Sequence, residues 1–424
     1  MQLYNTLSRR LEPFEPAGPV VRLYVCGVTP YDTTHLGHAR CYVVFDLLQR
    51  ALRYYGHRVR YIQNITDIDD DILRKAREVG VPWDELGNRW LAVYRADVEA
   101  LNLLPPAVWP RATREIPAMV EIAQALVARG HAYVREGHVY FRVRSAPDFG
   151  ALCGWSRARM IARLREERFD PDDPRKEDPL DILMWQPSAP DEPAWPSPWG
   201  PGRPGWHIEC TTMAYRHLGP TIDIHGGGED LIFSHHESER VQAESFTGVR
   251  PFVRFWMYAG TVYFDGAKMS KSLGNLVLVR DLLRRYSADA VRLYLARCHY
   301  RQAFTWDEAQ LAEAAALVEQ LRRAAAVEQA RTPALVGADP PADDPPVPRA
   351  RLHDGPTAEY RARFEAALDA DLDTPAAVEL LAELASVIER GGAHAGEQAA
   401  LLVELSEVLG LRLLDQPGTR WPDY

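Results

Sequence analysis

The stretch 26–40, CGVTPYDTTHLGHAR, constrains the fold more than any other part of the chain. An apolar, strand-like run at 21–25 ends at a cysteine, a polar turn follows, and His35 opens a pattern typical of a helix. A strand, a turn and a helix start together place backbone N–H groups and the positive end of a helix dipole where an anion can bind. His35 and His38 lie near that end, so both can donate to phosphate oxygens. On its own, such a histidine pair is weak evidence for catalysis.

The pattern around this stretch predicts an α/β protein with a parallel sheet. A helix between two short apolar strands is typical of a βαβ unit whose sheet is covered by helices. The first strand, the helix and the second strand are predicted at 21–28, 41–55 and 59–66. The same pattern resumes with a strand at 205–210, a helix to Leu218 and a strand at 221–225.

Potential ligand-binding residues follow these strands. In open α/β sheets, ligands bind beyond the carboxyl ends of the strands, where Cys26 and Thr66 are predicted to lie. The consecutive glycines Gly226, Gly227 and Gly228 follow another strand and let the backbone approach a ligand closely. The acidic run at 69–71 is better explained as helix capping than as a site.

The rest of the chain predicts an insertion and a C-terminal helical part. We expect the catalytic domain at 1–300, with an insertion at about 110–204 that is rich in proline, charge and tryptophan. A helical connection is predicted at 301–330, a Pro-rich linker at 331–356, and a helical region at 357–424. The function of 145–204 does not follow from its residues.

Four potential metal ligands are scattered along the sequence but are predicted to face one crevice of the sheet. They are Cys26, Cys210, His235 and Glu239, the last two sharing a helical face because they are four residues apart. Two thiolates, an imidazole and a carboxylate suit tetrahedral Zn²⁺. The alternative is that the cysteines are simply buried apolar residues. Considered one at a time, the residues fit this alternative better, because buried cysteine is common. No C-x-x-C or H-E-x-x-H pattern occurs, which counts against a zinc ribbon and a zincin protease.

Composition excludes several classes of protein. With 424 residues and 46% hydrophobic content, the chain can bury a large core. Its net charge of −10 argues against a nucleic-acid footprint over the whole chain. Five widely spaced cysteines fit reduced thiols, and we find neither a membrane span nor a signal-peptide core. We therefore expect a cytoplasmic protein without membrane partners, and a monomer.

Motifs in five places agree in order with one family. HLGH at 35–38 and KMSKS at 268–272 resemble the two ATP-binding motifs of class I aminoacyl-tRNA synthetases. Five stretches resemble the cysteinyl-tRNA synthetase superfamily, namely YVCGVTPYD, YIQNITDIDD, GRPGWHIEC, DIHGGGEDLIFSHHESE and KMSKSLGN. The resemblance implies a Rossmann-like class I catalytic domain. It also implies ATP-dependent activation of L-cysteine to cysteinyl-adenylate, with release of pyrophosphate.

The resemblance also implies roles for individual residues. One Zn²⁺ would bind the substrate thiolate and would be held by Cys26, Cys210, His235 and Glu239. Catalytic roles on ATP, which binds with Mg²⁺, are implied for His35 and His38 at the α-phosphate and for Lys268 and Lys271 at the β,γ-phosphates. Substrate contacts are expected from Thr29, Thr66, Trp206, Asp230, Gly226, Gly227 and Gly228, with Asp230 at the ammonium group.

The superfamily has two branches, which differ in the acceptor. One charges tRNA(Cys), and the other, the mycothiol-pathway cysteine ligase, joins cysteine to the amine of glucosaminyl-inositol. Features that resemble the second branch are Pro30, the stretch 167–181 with Trp185, the segment 275–279 and the tail 371–411. The chain also stops without the basic anticodon-binding module of a typical synthetase. We therefore expect the amino sugar as the acceptor and keep tRNA(Cys) as the alternative.

Other features resemble the synthetase branch instead. They are the start of the chain at 3–16, His225 and Glu239. Ser234 departs from the proline that is usual in both branches. A third interpretation is a catalytically silent relative that binds cysteine or nucleotide as a regulator, and the intact ATP motifs speak against it.

Overall fold

The computed structural model describes residues 1–32, 34–167, 169–269, 274–329, 355 and 357–414. Lys271 and most of the predicted linker at 331–356 lie outside these residues. The strands are β1 (Gln2–Asn5), β2 (Arg10–Pro13), β3 (Val20–Val28), β4 (Arg58–Ile65), β5 (Ala132–Arg135), β6 (His138–Phe141), β7 (Ile182–Pro187), β8 (Gly202–Pro204), β9 (Ile222–Gly228), β10 (Val253–Ala259), β11 (Val262–Phe264), β12 (Ala267–Lys268) and β13 (Phe304–Thr305).

Helices account for most of the remaining described residues. They are α1 (Leu36–Tyr54), α2 (Asp70–Val79), α3 (Trp83–Ala100), α4 (Ala112–Ala128), α5 (Arg157–Glu166), α6 (Trp206–Leu218), α7 (Glu237–Thr247), α8 (Val279–Leu283), α9 (Ala288–Ala296), α10 (Glu308–Gln329), α11 (Ala358–Asp369), α12 (Thr374–Arg390) and α13 (Ala395–Val408). An irregular turn, Ile232–His236, leads into α7.

The central sheet has the order β10-β9-β3-β4, and all its neighbouring strands are parallel. In its register, Tyr24 of β3 lies opposite His225 of β9, and Val25 lies opposite Gly226. The crossover from β3 to β4 runs through α1, as the βαβ pattern predicts. The predicted α/β class with a parallel sheet is confirmed.

Helix α1 packs closely on this sheet. Its Phe45 is fully buried, and a Cβ atom at Gly226 would lie 2.1 Å from the Phe45 ring. Glycine at this position therefore allows the helix to approach β9. This contact sets the distance between the start of α1 and the centre of the sheet.

The predicted strand at 205–210 is wrong, because these residues begin α6. Gly205 is the N-cap residue and Trp206 is the first helical residue, so Cys210 lies inside a helix and not at a strand end. The strand of this region is β8, which pairs antiparallel with β7 in the sheet β5-β6-β7-β8. Side chains 207–210 are all buried. When no side of an element is exposed, the sequence shows no helical or strand periodicity of polar residues, so the pattern does not distinguish a helix from a strand here.

The C-terminal helices pack against the catalytic part through a buried arginine. Arg292 of α9 forms an ion pair with Asp46 of α1 and donates to the backbone carbonyls of Leu101 and Leu409, both at 2.9 Å. Both ends of this pair are almost fully buried. The predicted domain bounds stay predictions. Among the described residues, no helix is both long enough and apolar enough to span a bilayer.

Candidate active site and metal centre

Four elements carry the predicted metal ligands. Cys26 lies near the end of β3, and Cys210 lies in the second turn of α6. His235 belongs to the irregular turn before α7, and Glu239 belongs to the first turn of α7 itself. These elements converge at the carboxyl ends of the central strands, where open α/β sheets bind ligands.

The four side chains form one buried cluster. One donor atom from each lies within 4.8 Å of the other three. The Cys26 Sγ is 3.9 Å from the Cys210 Sγ and 3.8 Å from Glu239 Oε1, and His235 Nε2 is 3.2 Å from the same oxygen. Cys26 is 7% exposed, and the other three are at most 1% exposed. The structure therefore brings all four predicted ligands together.

Burial determines the charge of these groups. It raises the pKa of the Cys26 thiol well above its usual value, and the neighbouring Cys210 raises it further. Burial also lowers the pKa of the His235 imidazole well below its usual value. An uncompensated charge is costly in such a dry site, and a divalent cation bound to all four donors removes that cost. Two sulfur donors, one nitrogen and one oxygen fit Zn²⁺.

Two further histidines, which were not among the predicted site residues, line the same cluster. His236 Nε2 lies 3.1 Å from the Cys26 Sγ, and His225 Nε2 lies 3.0 Å from Glu239 Oε2. Together with Cys26 and Glu239 they form a second, overlapping donor set. The adjacent histidines of HHESE were a signal, but periodicity does not tell which of them faces the thiols.

Polar contacts lead outward from His235 to the region before β7. His235 Nδ1 is 2.9 Å from His207 Nδ1, and His207 Nε2 is 3.4 Å from Ser234 Oγ. Ser234 donates to Glu167 Oε2 at 2.8 Å. Sequence reasoning missed these residues as site residues, because their contacts join positions 27 to 67 residues apart.

The predicted amino-acid contacts lie at different distances from a ligand residue, and one of them stacks on it directly. The Trp206 ring stacks on the His235 ring, with centroids 4.2 Å apart and planes at 27°. Thr66, just beyond the end of β4, is buried and accepts a hydrogen bond from Asn64 Nδ2 at 3.0 Å. Thr29 follows the end of β3 and is partly buried. Of these three predicted contacts, the structure thus places Trp206 directly against a ligand residue.

His35 and His38 meet at the start of α1. His35 is the N-cap residue, and its Nδ1 accepts from the Gly37 N–H at 3.1 Å. The His38 ring stacks on the His35 ring, with centroids 3.7 Å apart. A helix start concentrates N–H donors and positive dipole, so this end of α1 suits a phosphate.

The segment after the KMSKS motif lies directly against the start of α1. The Leu36 N–H donates to the Val277 carbonyl at 2.8 Å, and the Val279 N–H donates to the Thr34 carbonyl at 3.0 Å. Backbone hydrogen bonds therefore join the segment 277–279 to the chain on either side of His35. Residues 270–273 of the KMSKS stretch lie outside the described residues.

Lys268 reaches across to a predicted substrate contact. It ends β12, and its Nζ donates to Asp230 Oδ2 at 2.8 Å. Their side chains are 49% and 41% exposed, so water screens this ion pair. Lys271, the second predicted catalytic lysine, lies outside the described residues.

The three glycines belong to β9, although the sequence suggested that the strand ends before them. A Cβ atom at Gly228 would lie 2.5 Å from Asp230 Oδ1, and Gly226 meets Phe45 as described above. At Gly227 the nearest side-chain atoms would be 3.0 Å away. These glycines therefore permit close contacts within the protein at the edge of the site.

Comparison with known families agrees with this geometry. The family described as tRNA synthetases class I (C) catalytic domain matches residues 14–316. The DALR domain matches residues 363–414, within the C-terminal helices. These matches confirm the class I catalytic fold and the C-terminal helical domain.

Curated relatives carry two different names. The cysteine–tRNA ligase of Dehalococcoides mccartyi (strain BAV1) is 42% identical over 98% of this chain and 87% of its own length. A relative from Nocardia farcinica, named L-cysteine:1D-myo-inositol 2-amino-2-deoxy-alpha-D-glucopyranoside ligase, is 42% identical over 97% of this chain and 96% of its own length. Both names describe ligases of cysteine, so cysteine ligase activity is common to the two.

Among solved structures, methionyl-tRNA synthetase of Mycobacterium tuberculosis in complex with methionyl-adenylate superposes with a TM-score of 0.60. It is 20% identical, and the match covers 92% of this chain and 90% of that one. At this identity the likeness concerns the fold alone. With the family match over residues 14–316, the chain belongs to the class I tRNA synthetases of the cysteine type, and it is a ligase.

Proposed function

We propose that this protein activates L-cysteine with ATP at a zinc centre and transfers the cysteinyl group to tRNA(Cys). The observation that carries the activation step is that a short stretch of chain connects two parts of the site. One is the buried cluster of thiols, imidazole and carboxylate, and the other is the start of α1 with its histidine pair. Cys26 lies in β3, and His35 caps the helix that follows this strand, so one amino acid would meet both.

Cysteine recognition would take place at the buried cluster. Cys26, Cys210, His235 and Glu239 would hold one Zn²⁺, which supplies a soft Lewis acid that prefers thiolate to hydroxyl. Because serine offers only a hydroxyl, discrimination of ~10⁴-fold, about 5.5 kcal/mol, needs no editing domain.

The rest of the amino-acid site would orient the substrate. Trp206 stacks at the cluster and Thr66 lies at the end of the neighbouring strand, so the two limit how the substrate can lie. Thr29 and the glycines Gly226, Gly227 and Gly228 would line the same space. The carboxylate of Asp230 would accept hydrogen bonds from the substrate ammonium group.

Activation would take place at the start of α1. The cysteine carboxylate oxygen forms a bond to the α-phosphorus of ATP, and the bond from that phosphorus to pyrophosphate breaks. His35 and His38 donate to the α-phosphate oxygens as negative charge develops there. Lys268 and Lys271 stabilise the departing β,γ-phosphates, together with the Mg²⁺ that accompanies ATP.

Two observations support tRNA(Cys) as the acceptor. The relative from D. mccartyi bears the name cysteine–tRNA ligase. The two residues that resemble the synthetase branch, His225 and Glu239, contact each other inside the cluster at 3.0 Å. We therefore rank tRNA(Cys) above the amino sugar, which reverses the order that the sequence alone suggested.

The amino sugar remains a second candidate because of one segment. Residues 275–279 resemble the ligase branch, and their backbone contacts the start of α1. The relative from N. farcinica bears the name of an amino-sugar ligase. The monomeric state and the cytoplasmic location stay predictions, and gel filtration of the purified protein tests the first.

The test separates activation from transfer. Cysteine-dependent exchange of pyrophosphate into ATP measures activation, and we expect it with cysteine but not with serine. Transfer is then measured with a tRNA(Cys) transcript and with glucosaminyl-inositol in parallel reactions. We expect charged tRNA(Cys), with a salt dependence typical of phosphate contacts.

Controls make each outcome decisive. A tRNA with another anticodon and acceptor stem shows that charging is specific. Absence of cysteine-dependent exchange would overturn the activation step and favour the regulator interpretation. Exchange followed by product from the amino sugar alone would overturn the tRNA acceptor and leave the activation step standing.

A further inference from the structure

Polar contacts that begin at a proposed zinc ligand end on a carboxylate outside the central sheet. We propose that Ser234 and Glu167 are positioning residues, which act through His207 to hold the His235 imidazole in the tautomer and orientation that bind the metal. The contacts are His235 to His207 at 2.9 Å, His207 to Ser234 at 3.4 Å, and Ser234 to Glu167 at 2.8 Å. This inference rests on the proposed zinc centre and extends it by three residues.

The position of each proton in this series of hydrogen bonds follows from its two ends, the metal-facing nitrogen of His235 and the carboxylate of Glu167. The Nε2 of His235 faces the cluster, 3.2 Å from Glu239, so as a metal donor it carries no proton. Its Nδ1 then carries the proton and donates to His207 Nδ1. His207 therefore carries its own proton on Nε2, which faces Ser234 Oγ. The Ser234 hydroxyl proton points to Glu167, whose ionised carboxylate can only accept.

Neighbouring contacts hold Glu167 and Ser234 in place. Glu167 follows α5, and its Oε1 receives a second contact from Arg163 at 3.0 Å, so the carboxylate is fixed from two sides. The carbonyl of Ser234 accepts from the Ser238 hydroxyl at 2.7 Å, which fixes the backbone at that point. Glu167 is 15% exposed, and Ser234 is almost fully buried.

Aromatic rings limit the movement of His207. The Phe169 and Trp206 rings both lie 5.3 Å from it, measured between centroids. Two rings, themselves stacked with centroids 6.3 Å apart, therefore pack against the imidazole while its nitrogens face His235 and Ser234. A second partner on a metal-binding histidine sets the ring orientation and raises the basicity of the donor nitrogen.

The serine hydroxyl departs from the proline that is usual at this position in the families that the chain resembles. Where proline occupies the position of Ser234, no hydroxyl is present, so His207 and Glu167 could not be connected there. The region between α5 and β7 thus gains a role that its sequence did not suggest. It supplies the carboxylate that sets the direction of every hydrogen bond between Glu167 and His235.

The test measures metal affinity, with Zn²⁺ alone as the probe and a chromophoric chelator as the competitor. Ser234→Ala and Glu167→Ala should each weaken Zn²⁺ binding about tenfold, the lower end of the effect known for outer partners of metal ligands. The double variant should bind Zn²⁺ no more weakly than either single variant, because both substitutions break the same series of hydrogen bonds. Glu167→Gln keeps an acceptor oxygen and should restore most of the affinity.

A matched control and a second readout separate positioning from folding. Glu166→Ala removes the adjacent, exposed carboxylate, which pairs with Arg163 at 3.3 Å, and should leave the affinity for Zn²⁺ unchanged. With Co²⁺ in place of Zn²⁺, the visible absorption of the metal should change in Ser234→Ala but not in Glu166→Ala.

Every outcome decides the proposal. Unchanged Zn²⁺ affinity in Ser234→Ala, additive losses in the double variant, or a lower melting temperature with unaltered affinity would each overturn it. Pyrophosphate exchange by the wild-type protein, measured in parallel, tests the proposed function independently. A wild-type protein that binds zinc without exchange would refute the function and leave the positioning role open to the affinity result, which then decides it.

Discussion

The proposed cysteine half of the site and the proposed ATP half are built in different ways. The proposed zinc ligands come from four elements and are between 0% and 7% exposed. The ATP half rests on backbone hydrogen bonds beside His35 and on Lys268, whose side chain is 49% exposed. The cluster proposed to select the amino acid is therefore dry, whereas the lysine proposed to meet phosphate is open to solvent.

This difference predicts different consequences of substitution. Electrostatic contacts are worth far more in a dry site than in one that water screens. A change in the zinc cluster should therefore abolish binding and catalysis together. A change in the ATP half should affect the rate while cysteine still binds.

The largest effect is expected from Cys210→Ser, which replaces a thiolate ligand by a hydroxyl. Because loss of an outer partner already costs 10- to 100-fold, loss of a ligand should weaken Zn²⁺ binding more than about 100-fold. Cysteine-dependent exchange should fall with it. Metal analysis and exchange assays on the same sample check this, with Cys298→Ser as the control. Full zinc content with normal exchange would remove Cys210 from the site.

His38→Ala should lower the rate of adenylate formation about 100-fold, because one donor to the developing charge is lost. The KM for cysteine should change little, since the zinc cluster is intact. Steady-state exchange kinetics at varied cysteine concentration separate the two constants. A variant impaired only in its cysteine KM would contradict the separation of the two halves.

Gly226→Ala tests the contact that links the halves. The new Cβ would lie 2.1 Å from the Phe45 ring, so α1 must shift away from β9. Such overpacking costs about 1–3 kcal/mol in free energy of unfolding. Urea denaturation measures it. Gly18→Ala is the control, because nothing lies within 4 Å of a Cβ atom there.

Asp230→Asn should raise the KM for cysteine about tenfold, because the substrate ammonium loses a charged partner. Lys268→Met should instead lower the exchange rate and leave the cysteine KM near that of the wild type. The ion pair between the two residues is exposed and should add less than about 1 kcal/mol to stability. Equal effects of both variants on the cysteine KM would show that Asp230 acts by holding Lys268.

Asp69→Asn should have the smallest effect on activity, and its effect on stability should depend on pH. Burial, together with the neighbouring Asp70 and Asp71, raises the pKa of Asp69 from 3.8 to about 6. The folded protein therefore binds more protons than the unfolded chain between these values, so its stability falls as pH rises through that window. Asparagine still caps α2 but cannot ionise.

A rise of about two pKa units corresponds to about 3 kcal/mol, so the free energy of unfolding of Asp69→Asn should exceed that of the wild type by up to that amount at pH 8. The two should differ less at pH 4.5, where the folded wild-type protein keeps this carboxyl protonated. Urea denaturation at both pH values checks the sign. An equal difference at both would show that the carboxyl of Asp69 is not the group responsible.

The sequence was most informative where a local pattern determines position. The start of α1 and the N-cap role of Asp69 follow from turn and cap chemistry, and the structure has both. The four proposed zinc ligands were also named from the sequence, and the structure brings one donor atom of each within 4.8 Å of the others. The strand proposed at 205–210 failed, since a helix buried on all sides leaves no periodic signal.

The outer parts of the site depend on contacts that no local pattern contains. His236 and His225 face the thiols because of the turn before α7 and the register of β9. Glu167 reaches Ser234 because α5 packs against the turn Ile232–His236. Packing between distant segments decides such contacts, and spacing along the chain does not encode it.

The backbone hydrogen bonds that join Leu36 to Val277 and Thr34 to Val279 also bear on how the protein is made. Contacts between segments so distant in sequence form late and slowly, because a long loop must close first. During synthesis the histidine pair leaves the ribosome long before its partner segment exists. The proposed ATP half can therefore be completed only after Val279 has been translated. Until then, the nascent chain cannot activate cysteine with ATP.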